Sequence, residues 1–405
     1  MIALNFIKRL VEITNSKNKE DDTVDVILAP SYLQADYKSR FVMGCVLVSL
    51  GILLSASGGS WDVTNHLLNK PETFFAPPHA VLYTGIALAL LGSAIMFHGW
   101  RCSANYYPEL HRPVELVFAG ILTLLVAGPV DFAWHSAFGL DGLLSPPHFV
   151  LLMGMTMSSV GAMLGTIKCR NNDKNNLSNI KDKPPSVMTG LNKSNYYSRS
   201  TLLTIIGMLP IWLVASGIVG MFTLPFSNTK YFAFNPEPSL AVIFATMGYP
   251  FVISIILFSS FGLTRRFGIV SITGAVYLII NVLTVIMPSE SLLPTLPFYI
   301  INIIPMIVAD VILSISTKKF YYVFIAGALL GAPFFMLQYP LITYTYNELL
   351  TKQPVWPSLT VSIYFGMIKY VYPLVVIPAM TMGMLGIVVG DRLIRRVMPS
   401  LTSVL

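Results

Sequence analysis

Apolar residues in this chain come in blocks of about 20, each long enough as a helix to cross roughly 30 Å of hydrocarbon. Ten such blocks stand out, at about 41–59, 79–100, 115–133, 147–168, 199–222, 240–263, 268–287, 296–316, 320–344 and 359–390. The pattern predicts an all-α, polytopic membrane protein with about ten transmembrane helices. A polar stretch rich in Asn, Lys and Ser, from Arg170 to Ser200, separates four of the blocks from six and reads as a cytoplasmic linker. The expected organisation is an interfacial N-terminal segment (1–40), a front membrane block (41–169), a polar linker (170–198) and a six-helix block (199–405).

Composition agrees, with 54% hydrophobic and 11% charged residues. The net charge of +7 invites a polyanionic partner, but the placement of the charges argues otherwise. With the N-terminus in the cytoplasm and ten alternating helices, 22 of the 26 Lys and Arg residues fall on inner segments. Lys70, Lys230 and Lys352 fall on outer loops, and Lys369 falls inside a span. That asymmetry is what the positive-inside rule requires. The basic balance therefore reports orientation, with both termini cytoplasmic and no nucleic-acid partner. Cys45, Cys102 and Cys169 lie in a span or at the inner surface, which implies no disulfide framework. No cleavable signal peptide is visible, and "LNFIKRLVEI" could lie along the inner membrane surface.

Two stretches at the predicted outer rim carry chemistry. "WDVTNHLLNKPETFFAPPH" contains Asp62, His66 and His79, and "DFAWHSAFGLDGLLSPPH" contains Asp131, His135 and His148, each displaced by 69 positions. The same offset aligns Gly51-Ile52-Leu53 with Gly120-Ile121-Leu122 and Gly59 with Gly128. It also aligns Pro77-Pro78 with Pro146-Pro147, Gly85 with Gly154, Gly92 with Gly161, and Arg101 with Arg170. Such a register through two helices and their connection marks an internal repeat, a pair of pseudosymmetric helical hairpins.

Residues i and i+4 share a helix face, so Asp62 should meet His66 and Asp131 should meet His135. A Pro-Pro pair suits the first turn of the next helix and sets His79 or His148 at its outer end. Two imidazoles and a carboxylate on one side of a cation suit copper, zinc, iron or nickel, and residue types alone do not choose among them. A lone Asp or His near a membrane surface is usually just solvated, and an Asp/His pair often only fastens a helix end. Two copies with one spacing, using four of the six histidines, favour metal binding instead. His98 and His111 belong to the inner surface and read as solvated. Asp141 and Glu72 read as loop surface or as support for the sites. Asp310 and Lys369 are ionisable groups in or near spans, expected to snorkel towards an interface rather than pair. Met153, Met155, Met157 and Met163 read as helix packing. Gly59, Gly85, Gly128 and Gly154 are expected to let helices approach closely around a dry pocket.

The run "DVTNH" followed by "FFAPPH" resembles the metal motif in the C subunit of the particulate methane and ammonia monooxygenases, a copper-dependent membrane family. Asp62, Thr64, His66, Phe75, Pro77 and His79 carry the likeness, and residues 40–168 are its extent. The family has a second ligand set about seventy residues later, where Asp131, His135 and His148 fall. This chain has Asp where many members have Asn, and its final gap is one residue shorter. Residues 200–405 loosely resemble the A subunit, through Asp310, Lys318, Lys319, Gly327 and Gly331. The resemblance implies a component of a copper monooxygenase that inserts one oxygen atom of O2 into an N–H or C–H bond. The expected substrate is ammonia, methane or a short hydrocarbon. It further implies an oligomer with a cupredoxin-bearing B-type subunit and other membrane subunits, in the cell membrane with its metal motifs outermost. The rival readings are a copper- or zinc-handling transporter or sensor, and a non-catalytic assembly subunit.

Overall fold

The computed structural model describes residues 31–67, 73, 75–103, 108–138, 144–179, 190–223, 238–286, 288, 293, 296–315, 320–337 and 372–399. Among these residues there is no strand. The helices are α1 (Ser31–Leu67), α2 (Pro77–Ser103), α3 (His111–Phe138), α4 (Pro146–Asn179), α5 (Gly190–Thr223), α6 (Pro238–Thr264), α7 (Ile269–Asn281), α8 (Leu296–Ile301), α9 (Ile303–Ile315), α10 (Phe320–Leu337) and α11 (Tyr372–Val397). A π-helical turn, Val282–Ile286, prolongs α7. Eight helices, α1 to α7 and α11, are long and apolar enough to cross a membrane, which makes this a multi-pass membrane protein.

Among the described residues, two of the ten expected blocks give shorter apolar helices. The block at 296–316 is broken at Asn302 into α8 and α9. Pro305 has no N–H to offer the carbonyl four residues back, so a continuous helix through this point would lose a rung. Of the block at 320–344, α10 covers Phe320–Leu337, and the last block is described from Tyr372 onward. Residues 1–30 and Lys369 lie outside the described residues. Into the polar stretch, α4 continues to Asn179, and α5 begins at Gly190. Helices once started tolerate Asn and Lys, which cost only tenths of a kcal/mol per residue.

α1 packs along α2 and α3 along α4. Glycines permit the close approach, and the contacts recur at the 69-residue offset. A Cβ on Gly51 would fall 2.6 Å from the Gly85 carbonyl oxygen, and one on Gly120 would fall 2.6 Å from that of Gly154. A Cβ on Gly92 would lie 2.6 Å from the Val48 nitrogen, and one on Gly161 would lie 2.9 Å from the Val117 nitrogen. Backbones this close allow van der Waals attraction to hold helices together where lipid supplies no hydrophobic drive. Gly59 and Gly128 behave otherwise. A Cβ on Gly59 would meet only Leu82 Cδ1, at 3.9 Å, and one on Gly128 would meet nothing within 4 Å. The expectation of close packing thus holds for Gly85 and Gly154 and fails for Gly59 and Gly128.

The described basic residues gather at the end of the bundle away from Asp62 and Asp131. Arg170 ties three elements there, donating to Ser200 Oγ (2.8 Å), the Leu263 carbonyl (3.1 Å) and Met398 Sδ (2.9 Å). Asn171 donates to the Val397 carbonyl at 3.1 Å. Front and back blocks are joined at this end as well as through the core.

Asp310 does not snorkel. It is fully buried on α9, and its Oδ2 accepts from the backbone N–H (2.9 Å) and hydroxyl (2.8 Å) of Ser271. α7 starts after Gly268, which has no side chain to cap the helix. A carboxylate from the neighbouring helix takes that place, facing the positive end of the α7 dipole.

Candidate metal centre

Asp131 and His135 lie one turn apart near the end of α3, and His148 follows the Pro-Pro pair that opens α4. The hairpin brings all three together. Asp131 Oδ1 stands 3.7 Å from His135 Nε2 and 3.4 Å from His148 Nε2, with the imidazole centroids 5.4 Å apart. One ligand atom from each residue lies within 4.8 Å of the others.

Those separations fit a shared cation. Two bonds of about 2.1 Å, typical for Zn–N or Zn–O, span roughly 3.4 Å across a tetrahedral angle. Asp131 Oδ1 is buried and accepts no hydrogen bond among the described residues. A buried carboxylate oxygen left in that state costs free energy unless a positive charge faces it. The donor set of two nitrogens and one oxygen leaves coordination positions open, and the cavity lies beside them.

The first hairpin shows two members of its set. His79 Nε2 is 3.0 Å from Asp62 Oδ1. The other ring nitrogen, Nδ1, donates to the Thr73 carbonyl at 3.0 Å. A carbonyl only accepts, so the proton sits on Nδ1. In the neutral ring Nε2 then presents a lone pair to a carboxylate, an arrangement that needs an added proton or a cation. Anchoring the distal nitrogen on a carbonyl is the usual support for a ligating histidine. His66 sits in the last turn of α1, but its side chain lies outside the described residues, as do Asp141 and Glu72. His98 and His111 are elsewhere: His98 Nε2 is 3.5 Å from Arg40 Nη1, and His111 Nδ1 is 3.3 Å from Glu115 Oε2.

Both hairpins open on one cavity of about 270 Å³, lined by Asp62, His79, Asp131, His135 and His148. Part of its wall comes from the back block, which sequence reasoning did not connect to the site. Ser216 of α5, Tyr249 of α6, Tyr277 and Asn281 of α7, and Tyr299 of α8 all face it. Tyr277 donates to Ser216 Oγ at 3.0 Å and stacks on buried Trp212, with centroids 3.8 Å apart. Tyr83 lines the cavity within electrostatic reach of both Asp62 and Asp131. A tyrosine in an apolar helix gives no linear signal of this role.

The back block also grips the first motif directly. The Thr64 hydroxyl donates to the Thr284 carbonyl (3.3 Å), and the Thr284 hydroxyl to Ser60 Oγ (3.2 Å). Thr284 lies in the π-helical turn, a local distortion frequent at functional sites.

Fold and site together define a multi-pass helical membrane protein with an Asp/His/His cluster on an internal cavity. No protein family, curated protein or solved structure matches the chain.

Proposed function

We propose that this chain is a component of a copper-dependent membrane monooxygenase that oxidises a small uncharged molecule with O2. The observation that carries the reading is the convergence of Asp131, His135 and His148 on one point at the edge of a cavity with mostly apolar walls. The 69-residue register of the glycine contacts supports the reading of the front block as a duplicated hairpin. The motif likeness to the particulate monooxygenases supplies copper as the metal; imidazole nitrogens suit it, as they suit zinc and iron. Copper bound there would supply O2 activation.

The chain's own residues do the rest. His135 and His148 offer neutral nitrogen ligands, and Asp131 offsets positive charge that would otherwise be costly beside hydrocarbon. Thr73 fixes the His79 ring so that Nε2 faces the cavity side of Asp62. The apolar wall limits water and admits uncharged substrates from the bilayer. The clustering of basic residues at the opposite end supports inner termini and outer metal motifs in the cell membrane. A cupredoxin-bearing subunit is the expected partner, with reducing equivalents supplied from outside the site.

The test is metal analysis and turnover on the purified complex. Copper in the front block, a co-purifying cupredoxin-bearing subunit, and oxidation lowered by His135→Ala with normal insertion are the expected results. Undiminished oxidation in His135→Ala and His66→Ala variants overturns the catalytic assignment. Altered cellular copper or zinc on deletion, with oxidation unchanged, replaces it with a transport role.

A further inference from the structure

Gly59 and Gly128 stand apart from the other glycines of the front block, and the cavity explains them. Each lies three residues before its hairpin's carboxylate, and each lines the cavity. Neither has a backbone neighbour that needs its missing Cβ. Helix-packing glycines on the same helices, Gly51 and Gly120, have one within 3 Å. A glycine inside a helix is unfavourable relative to alanine, so a position that packs against nothing needs another reason to lack a side chain. Pro129 follows Gly128 and offers a kink as that reason, but Ser60 follows Gly59 and no proline does.

The volume says what the space is for. A cavity of about 150 Å³ lined by aliphatic and aromatic side chains already takes benzene. This one measures about 270 Å³, far more than methane or ammonia would fill. Leu82, Leu151, Leu152 and Leu213 furnish apolar wall, and the Tyr277 ring lines the cavity as well. We propose that the cavity binds an apolar molecule larger than benzene, of two-ring size, and that Gly128, with Gly59, sets the upper limit on that size. The inference rests on the cavity being the chamber of the metal centre, and it narrows the ligand from small uncharged molecules to ring-sized hydrocarbons.

The intact protein in lipid nanodiscs would be photolabelled with phenyl trifluoromethyl diazirine, and adducts mapped by peptide mass spectrometry. Cavity adducts, for example on the Leu213 and Tyr277 peptides, should be displaced by naphthalene and not by methane, while labelling of lipid-facing positions stays constant. In Gly128→Leu, naphthalene should compete about tenfold less well or worse, because the added side chain fills the space. Gly128→Ala should show a smaller shift in the same direction. Metal content must be retained in both variants, which shows that the hairpin has folded. Cavity peptides that take no label, or naphthalene competition unchanged in Gly128→Leu with metal retained, overturns the proposal. Turnover is scored separately: naphthalene bound in the cavity but never oxidised leaves this inference standing and removes the monooxygenase reading. Oxidation of methane or ammonia without naphthalene binding does the reverse.

Discussion

The two hairpins of the front block carry Asp, His and His at the same spacing and sit in different surroundings. α1 is enclosed: besides α2 it packs against α4, α5, α7 and the π-helical turn. α3 packs chiefly on α4 and α2, and its Val126 and Val130 are more than half exposed. The clamp from the back block marks the difference at residue level. Ser60 and Thr64 hold Thr284, but the equivalent positions on α3 are Pro129 and Ala133, neither with a hydroxyl. Two hairpins with one Asp/His/His spacing thus differ in setting, α1 as a core element fastened to the back block and α3 as a more peripheral one. Ligand geometry depends on the hairpin, and rigidity depends on what surrounds it.

The largest effect that would break this comparison is on metal occupancy. Asp131→Ala should weaken binding at the second hairpin by more than about 100-fold, beyond the 10–100-fold typical of losing a supporting group. Asp62→Ala should spare that site. Metal stoichiometry on each purified variant, by mass spectrometry, decides. If either substitution empties both hairpins, the two form one centre and the comparison fails.

Packing glycines come next. Gly154→Leu drives a side chain into Leu124 and the Gly120 carbonyl, 3.0 Å from where its Cβ must sit. A loss of about 1–3 kcal/mol is expected from such overpacking, read as a lowered thermal midpoint in detergent. Gly128→Ala, whose added Cβ would meet nothing within 4 Å, should change the midpoint little or raise it, since alanine is the better helix former by about 1 kcal/mol. Equal destabilisation by both would mean that Gly128 is packed as tightly as Gly154.

Asp310 tests the clamp from its far end. Removing the carboxylate in Asp310→Ala strips the N-terminus of α7 of its acceptor and leaves half-buried Ser271 groups without theirs, costing about 1–3 kcal/mol. Because α7 runs into the turn that holds α1, His79 and Asp62 should be disturbed more than Asp131. Zinc or copper titrations that separate the two hairpins would show it; an equal loss at both contradicts the asymmetry.

How far the sequence foretells all this depends on the kind of signal. Apolar runs mark the eight long helices because hydrocarbon demands one length and one composition. The triad of Asp131, His135 and His148 is legible because a helix turn and a Pro-Pro start fix two of its three geometric relations. Asp310 misleads, since sequence shows an acid within a span but not the uncapped helix it serves. Gly59 and Gly128 mislead likewise: a glycine in a membrane helix looks the same whether it admits a backbone or a ligand. The tyrosines of the cavity wall are invisible beforehand, because the back block's placement against the hairpins is a long-range contact with no local mark.

The finest cut at the comparison is the hydroxyl of Thr64. Thr64→Val keeps the shape and removes the donor to the Thr284 carbonyl, leaving α1 on the π-helical turn through Ser60 alone. Hydrogen bonds between membrane helices average about 0.6 kcal/mol and reach about 1.7, so a drop of a degree or two in the midpoint is the expected size. The reciprocal change, Ala133→Thr, places the same hydroxyl on α3, which has no π-helical turn against it, and should gain nothing. If Ala133→Thr stabilises as much as Thr64→Val destabilises, then α3 also meets an acceptor from another element. The peripheral hairpin would then be held as firmly as the enclosed one, and the repeat would differ in sequence alone.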